Sequence, residues 1–86
     1  MTRVTLYTKP ECGLCEETHD VIKLVARRRP FELEVRNILD SVDDYERYKH
    51  DIPVVLLDGA EIARHHMTEQ TFEAALEAAA GRGPRL

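Results

Sequence analysis

Two cysteines, Cys12 and Cys15, are the only thiols in this chain of 86 residues. They stand in the stretch "YTKPECGLC", residues 7–15. A C-x-x-C spacing sets two side chains one helical turn apart, close enough for one sulfur to reach the other. Three chemistries fit. The pair could cycle between dithiol and disulfide, it could be half of a tetrahedral Cys₂His₂ metal set, or it could be two small hydrophobes packed in a core. The stretch leaves a strand-like segment and enters a helix-like one. A thiol there faces unpaired backbone N–H groups and the positive end of the helix dipole, and both favour the thiolate. Cys12 is the candidate attacking thiol and Cys15, one turn further in, the candidate resolving one. Gly13 gives the turn slack and admits a partner's backbone. Lys9 favours a thiolate at Cys12, whereas Glu11, Glu16 and Glu17 oppose it.

The remaining candidate ligands are histidines. His65 and His66 are adjacent and point apart on a strand, which weakens a metal set built from both. His19 lies one turn after Cys15 and shares its helix face, and His50 sits in a loop. His65 and His66 read more simply as solvent-facing at a strand end than as proton shuttles, and His19 and His50 as partly exposed structural histidines.

The elements that must position the thiols follow from periodicity. "RVTLYT", 3–8, is β-branched and aromatic and reads as a strand. From Cys12 or Leu14 to Arg29, Leu14, Thr18, Val21, Ile22 and Val25 form one helical stripe. The run Arg27, Arg28 and Arg29 suits the negative end of that helix better than a phosphate patch, and Pro30 stops it. In "FELEVRN", Phe31, Leu33 and Val35 alternate with charges, a strand with one buried face. Asp40 or Ser41 can cap a short helix with Val42, Tyr45 and Tyr48 at helical spacing. "PVVLL", 53–57, reads as a central strand covered on both faces. Asp58-Gly59 signals a hairpin to a strand over 60–64. Thr68 can cap a last helix lined by Phe72, Ala75, Leu76 and Ala79, ended by Gly81. The order β-α-β-α-β-β-α makes a four-stranded mixed sheet with helices on both faces, an α/β fold. One domain is expected over 1–81, with 82–86 as a tail.

Composition excludes several function classes. The chain is 43% hydrophobic and 33% charged with formal net charge −4, ordinary for a soluble domain and lacking the basic excess of a nucleic-acid binder. No apolar run approaches the roughly 18 residues of a membrane span, and the N-terminus has no signal-like apolar core. A cytoplasmic monomer is therefore expected, without nucleic-acid or membrane partners. Thiols stay mostly reduced in that compartment, which disfavours a lone structural disulfide.

The strand, "YTKPECGLC", the helix and the later "IPVVLLDG" hairpin together resemble the glutaredoxin-like branch of the thioredoxin superfamily, over nearly the whole chain. The resemblance implies a thioredoxin-like fold, a redox-active Cys12–Cys15 pair and a cis proline at Pro53 packed opposite the thiols. It also implies that the Ile52 backbone is offered to an extended substrate or to glutathione, and that Lys9 corresponds to the lysine associated with a glutathione carboxylate. Lys9, Gly13, Leu14, Ile52 and Pro53 are thus the candidate substrate-binding residues, with glutathione a candidate co-substrate and no bound cofactor or metal expected. The chain departs from the pattern in two places. Gly13 and Leu14 replace the usual Pro-Tyr between the cysteines, and Ala63 and Arg64, in "IARHHMTEQ", stand where a Gly-Gly pair is usual. The function expected is thiol–disulfide exchange with a protein disulfide or small thiol. The rival is a thioredoxin-fold module that binds a peptide, metal or iron–sulfur cluster without turnover.

Overall fold

A computed structural model describes residues 1–81; the expected tail at 82–86 lies outside them. Strand β1 (Arg3–Thr8) leads into helix α1 (Gly13–Ala26), and β2 (Glu32–Asn37) returns beside β1. A single 3₁₀ turn (Ile38–Asp40) precedes α2 (Val42–Tyr48), followed by β3 (Val54–Leu57), β4 (Ala60–Arg64) and α3 (Glu69–Gly81). The strands lie in the order β2-β1-β3-β4. β1 and β2 are parallel, as a right-handed crossover requires, and β3 runs antiparallel to both β1 and β4. The expected element order and mixed sheet are both present. No helix among the described residues is long and apolar enough to cross a membrane.

Local chemistry accounts for the boundaries. Asp58 and Gly59 both adopt positive φ, 49° and 88°, the pair of left-handed residues that a tight hairpin turn demands. Ser41 caps α2 by accepting the Asp44 N–H, while Asp40 belongs to the 3₁₀ turn instead. Thr68 Oγ1 accepts from the Thr71 N–H at 3.0 Å and fixes the start of α3. Helix α1 stops earlier than periodicity suggests. Arg27 is its C-cap, and the Arg28 and Arg29 N–H groups both fold back on the Val25 carbonyl. The arginines therefore lie past the helix, where Arg28 and Arg29 pair with Glu69, Glu73 and Glu77 of α3. Arg28 and Arg29 thus also tie the end of α1 to α3.

Because strand side chains alternate, the sheet carries two separate clusters. On one face Val4 and Leu6 of β1 and Val55 and Leu57 of β3 meet Ile22 and Val25 of α1 and Phe72 and Leu76 of α3. On the other, Val54 and Ile52 meet Ile38, Tyr48 and Cys15. The expectation of a buried face on β2 is not met. Phe31, just before the strand, does pack edge-to-face on Phe72 with centroids 5.5 Å apart, but Leu33 and Val35 remain 37% and 44% exposed. The strand order is the reason: β2 is an edge, and the helices that bury β1 and β3 leave it largely uncovered. Tyr45 and Val42 are likewise exposed, so of the three spaced residues of α2 only Tyr48 packs inward.

Candidate active site

Cys12 is the N-cap of α1. Its backbone is extended (φ −118°, ψ 104°), and its Sγ accepts the Cys15 N–H at 3.2 Å. A sulfur so placed takes one of the donors that the first turn cannot satisfy internally, which favours negative charge on it. The two sulfurs lie at bonding distance, with Cα atoms 5.2 Å apart. Their surroundings differ. Cys15 is 2% exposed and belongs to the cluster formed with Ile38, Tyr48, Ile52 and Val54, whereas Cys12 is only partly buried at its margin. A partner can reach the first sulfur and not the second.

The residues between and before the thiols are open. Leu14, expected on the buried stripe of α1, is 50% exposed, because helix phase gives the inward place to Cys15. Gly13 needs no unusual backbone conformation, and a Cβ there would meet nothing within 4 Å. The turn therefore does not require glycine, and what its absence of side chain leaves is approach space. Lys9 and Glu11 are exposed on the loop, with Glu11 in the left-handed region at φ 59°.

The Ile52–Pro53 peptide is cis, as the family resemblance implies, and both residues are buried beside the thiols' cluster. Ile52 donates its N–H to the Tyr48 carbonyl at 3.2 Å. The end of β4 holds this segment. The His65 N–H donates to the Pro53 carbonyl at 2.8 Å and to the Asp51 carbonyl at 3.2 Å, and His65 Nε2 lies 2.9 Å from the His50 carbonyl. Arg64 adds a 3.3 Å ion pair to Asp51 and a two-pronged bond to Glu61. That bond holds the Glu61 carboxyl below its usual range and pushes the Arg64 guanidinium up. His65 itself sits at φ 68°, a left-handed conformation that residues with a side chain rarely adopt. The position where glycine would be easiest is thus His65, one residue beyond the Ala63–Arg64 pair.

Sequence reasoning missed a second layer behind the thiols. Tyr7 and Tyr48 pack ring to ring at 4.3 Å, and Tyr7 and Cys12 both border the cluster that contains Cys15. The Arg36 guanidinium stands 5.8 Å from the Tyr7 ring centroid. Its Nη2 is also 3.2 Å from Asp44 Oδ2, a buried oxygen with no hydrogen-bond partner among the described residues. Burial, then the neighbouring Tyr48 and Asp44, push the Tyr7 phenol up. The signal for Tyr7 was present in β1, since it alternates with Leu6 and so must face away from the aliphatic core. Nothing in the sequence linked it to Arg36 and Asp44.

The histidines do not join the cysteines. Among the described residues no group of three or more His, Cys, Asp or Glu side chains converges as a metal site would.

Solved structures repeat the architecture. The protein Ne2328 of Nitrosomonas europaea is 24% identical and superposes with a TM-score of 0.73, over 86% of this chain and 89% of that one. A structural-genomics target protein from X. campestris is 25% identical with a TM-score of 0.72, over 87% and 96% of the two chains. A thioredoxin variant from Halobacterium salinarum, only 15% identical, gives a TM-score of 0.69 over 90% and 73%, a likeness of fold alone. The model of the glutaredoxin-like domain (DUF836) matches residues 3–77. With its thioredoxin-like fold and its Cys12–Cys15 pair at the start of α1, the chain belongs to the glutaredoxin-like domain (DUF836) family.

Proposed function

We propose that the protein is a thiol–disulfide oxidoreductase working through Cys12 and Cys15. The observation that carries this reading is the asymmetry of the pair: Cys12 caps the helix at the surface while Cys15 is 2% exposed beneath it. The Cys12 thiolate attacks one sulfur of a partner disulfide. The partner's S–S bond breaks, a Cys12–partner bond forms, and the released partner thiolate takes a proton from solvent. Cys15, once deprotonated, attacks Cys12 Sγ. The mixed disulfide breaks, the second partner thiol departs, and the Cys12–Cys15 disulfide remains. Two electrons and two protons have moved from the dithiol to the partner. In the reverse direction the same steps oxidise a dithiol.

The partner is an extended protein segment or a small thiol, docked along Ile52 and Pro53 with Gly13 and Leu14 leaving the approach open. Lys9, exposed just before the motif, is the group available to a carboxylate such as that of glutathione. The His65 side chain, on the left-handed position after β4, disfavours a close backbone approach there and so favours protein disulfides over glutathione. The cytoplasm is the compartment in which such a pair would be kept cycling.

Reduction of a model protein disulfide is the test. Cys12→Ser abolishes turnover, while Cys15→Ser stops after the first step and accumulates a mixed disulfide detectable by mass. Unchanged turnover in Cys12→Ser would overturn the proposal.

A further inference from the structure

Strand β2 is a sheet edge that carries charges at Glu32, Glu34 and Arg36 but lacks the other common protections. Edges are commonly blunted by lysine, proline, a bulge or a covering element. Residues 32–37, "ELEVRN", contain no lysine or proline. Their pairing with β1 runs without a register shift from Arg3↔Glu32 to Thr8↔Asn37. Among the described residues no strand lies on the outer side of β2.

The direction of the backbone groups follows from one bond. The Glu32 N–H donates to the Thr2 carbonyl at 2.9 Å. In a parallel ladder every second residue then turns its N–H and C=O toward β1. Glu32, Glu34 and Arg36 serve β1, so Leu33 and Val35 present their N–H and C=O outward. Their side chains, 37% and 44% exposed, add apolar surface on the face they share with Val4 and Leu6.

We infer that β2 pairs antiparallel with β2 of a second copy of this chain, about a two-fold axis through Val35. The charges select that register. Centred on Val35, the outward groups of Val35 meet those of the partner's Val35 in a hydrogen-bonded pair. Glu34 then stands opposite the partner's Arg36, and Arg36 opposite its Glu34, at the closer non-bonded positions. Moving the axis to Glu34 opposes two glutamates, and moving it to Arg36 opposes two arginines. An axis at Leu33 sets Glu32 against Glu34 twice. The Glu34-centred register also sets Glu32 against Arg36 on both sides, but only the Val35 register pairs opposite charges without opposing like ones. Within one chain Arg36 already lies 3.6 Å from Glu34 and 3.2 Å from Asp44. The contact with Glu34 joins two half-exposed groups and is weak enough to rearrange, whereas Asp44 is only 15% exposed. A two-fold contact of one surface with itself is the commonest closed assembly for a small chain, and it departs from the monomer that composition suggested.

Sedimentation equilibrium over a wide concentration range tests this. The wild type forms a dimer. Glu34→Arg sets arginine against arginine and weakens it about tenfold or more; Arg36→Glu does the same with glutamates. The double variant Glu34→Arg/Arg36→Glu restores opposite charges and recovers the dimer. That recovery is something a folding defect would not produce. Amide exchange at Leu33 and Val35 slows as concentration rises. A chain that stays monomeric at every concentration overturns the inference, as does a dimer indifferent to both single variants.

Discussion

The two faces of the sheet are built from the same strands and differ in nearly everything else. Toward α1 and α3 the sheet buries Val4, Leu6, Val55 and Leu57 against Ile22, Val25, Phe72 and Leu76, all aliphatic or phenyl. Toward α2 it buries Val54 and Ile52 beside a thiol, Cys15, and two tyrosines, with a charged pair at the rim. The first face is roofed by two long helices. The second is roofed by a 3₁₀ turn and a helix of 7 residues. Dry packing under long helices supplies stability. The second face has fewer buried residues and more groups that titrate, polarise or react. Placing the cysteine pair at the border lets Cys15 use the packing while Cys12 keeps its access.

The sharpest way to break that comparison is to delete the same side chain on each face. Ile22 and Ile38 are both fully buried. Ile22→Ala leaves a cavity between rigid helices and sheet, and its cost falls toward the upper end of the roughly 2–5 kcal/mol expected for such truncations. That is a large part of the ~5–15 kcal/mol available to a small domain. Ile38→Ala falls toward the lower end of the same range, because a single 3₁₀ turn can settle into the space. Urea midpoints of the two variants measure the difference. Only Ile38→Ala alters the alkylation rate of Cys12; an equal change in both would erase the distinction between the faces.

A smaller effect separates the faces by pH. Tyr7 has its phenol raised above its ordinary value of 10.0, by burial first and then by Tyr48 and Asp44. The folded state thus holds a proton that the unfolded chain would release. This contribution to stability is complete below the unfolded value and is lost as pH rises through the folded one. Thermal unfolding followed across the alkaline range falls more steeply in the wild type than in Tyr7→Phe. Parallel curves would show that the tyrosine pair is merely apolar filler.

The smallest effect belongs to the surface of the first face. Arg28 pairs with Glu69 and Glu73, and those hydrogen bonds raise its own affinity for a proton. The groups are half exposed, so solvent and salt screen them. Arg28→Ala shifts the urea midpoint barely beyond error, and high salt removes even that. A large, salt-independent loss would mean that the arginine's stem, not its charge, holds α1 to α3.

Periodicity and turn chemistry were sufficient for the order of elements. The Asp58-Gly59 hairpin, the Ser41 and Thr68 caps and the stripe from Phe72 to Ala79 were legible because each depends on residues within a few positions of one another. Cys15 is recessed, as its place one turn further in predicts, but Leu14 does not join the buried stripe. A stripe read from hydrophobicity prefers leucine, yet helix phase and the neighbouring cluster gave the inward position to the cysteine. The arginine run does close α1, with Arg27 as its C-cap, but its ion-pair partners were not legible because they lie forty residues or more away on α3.

What the sequence determined by itself, then, is the chain of local decisions: where strands and helices start and stop, and that two thiols share the first turn of a helix. Spacing and backbone geometry fix these without reference to distant residues. What only the tertiary structure decided is which neighbour each element acquires. It made β2 an edge and left Leu33 and Val35 exposed, and it set Arg36 over Tyr7 and against Asp44. It also brought His65 back to the carbonyls on either side of Ile52. Burial and pairing across a sheet depend on strand order, and strand order is a property of the folded whole that no local pattern encodes.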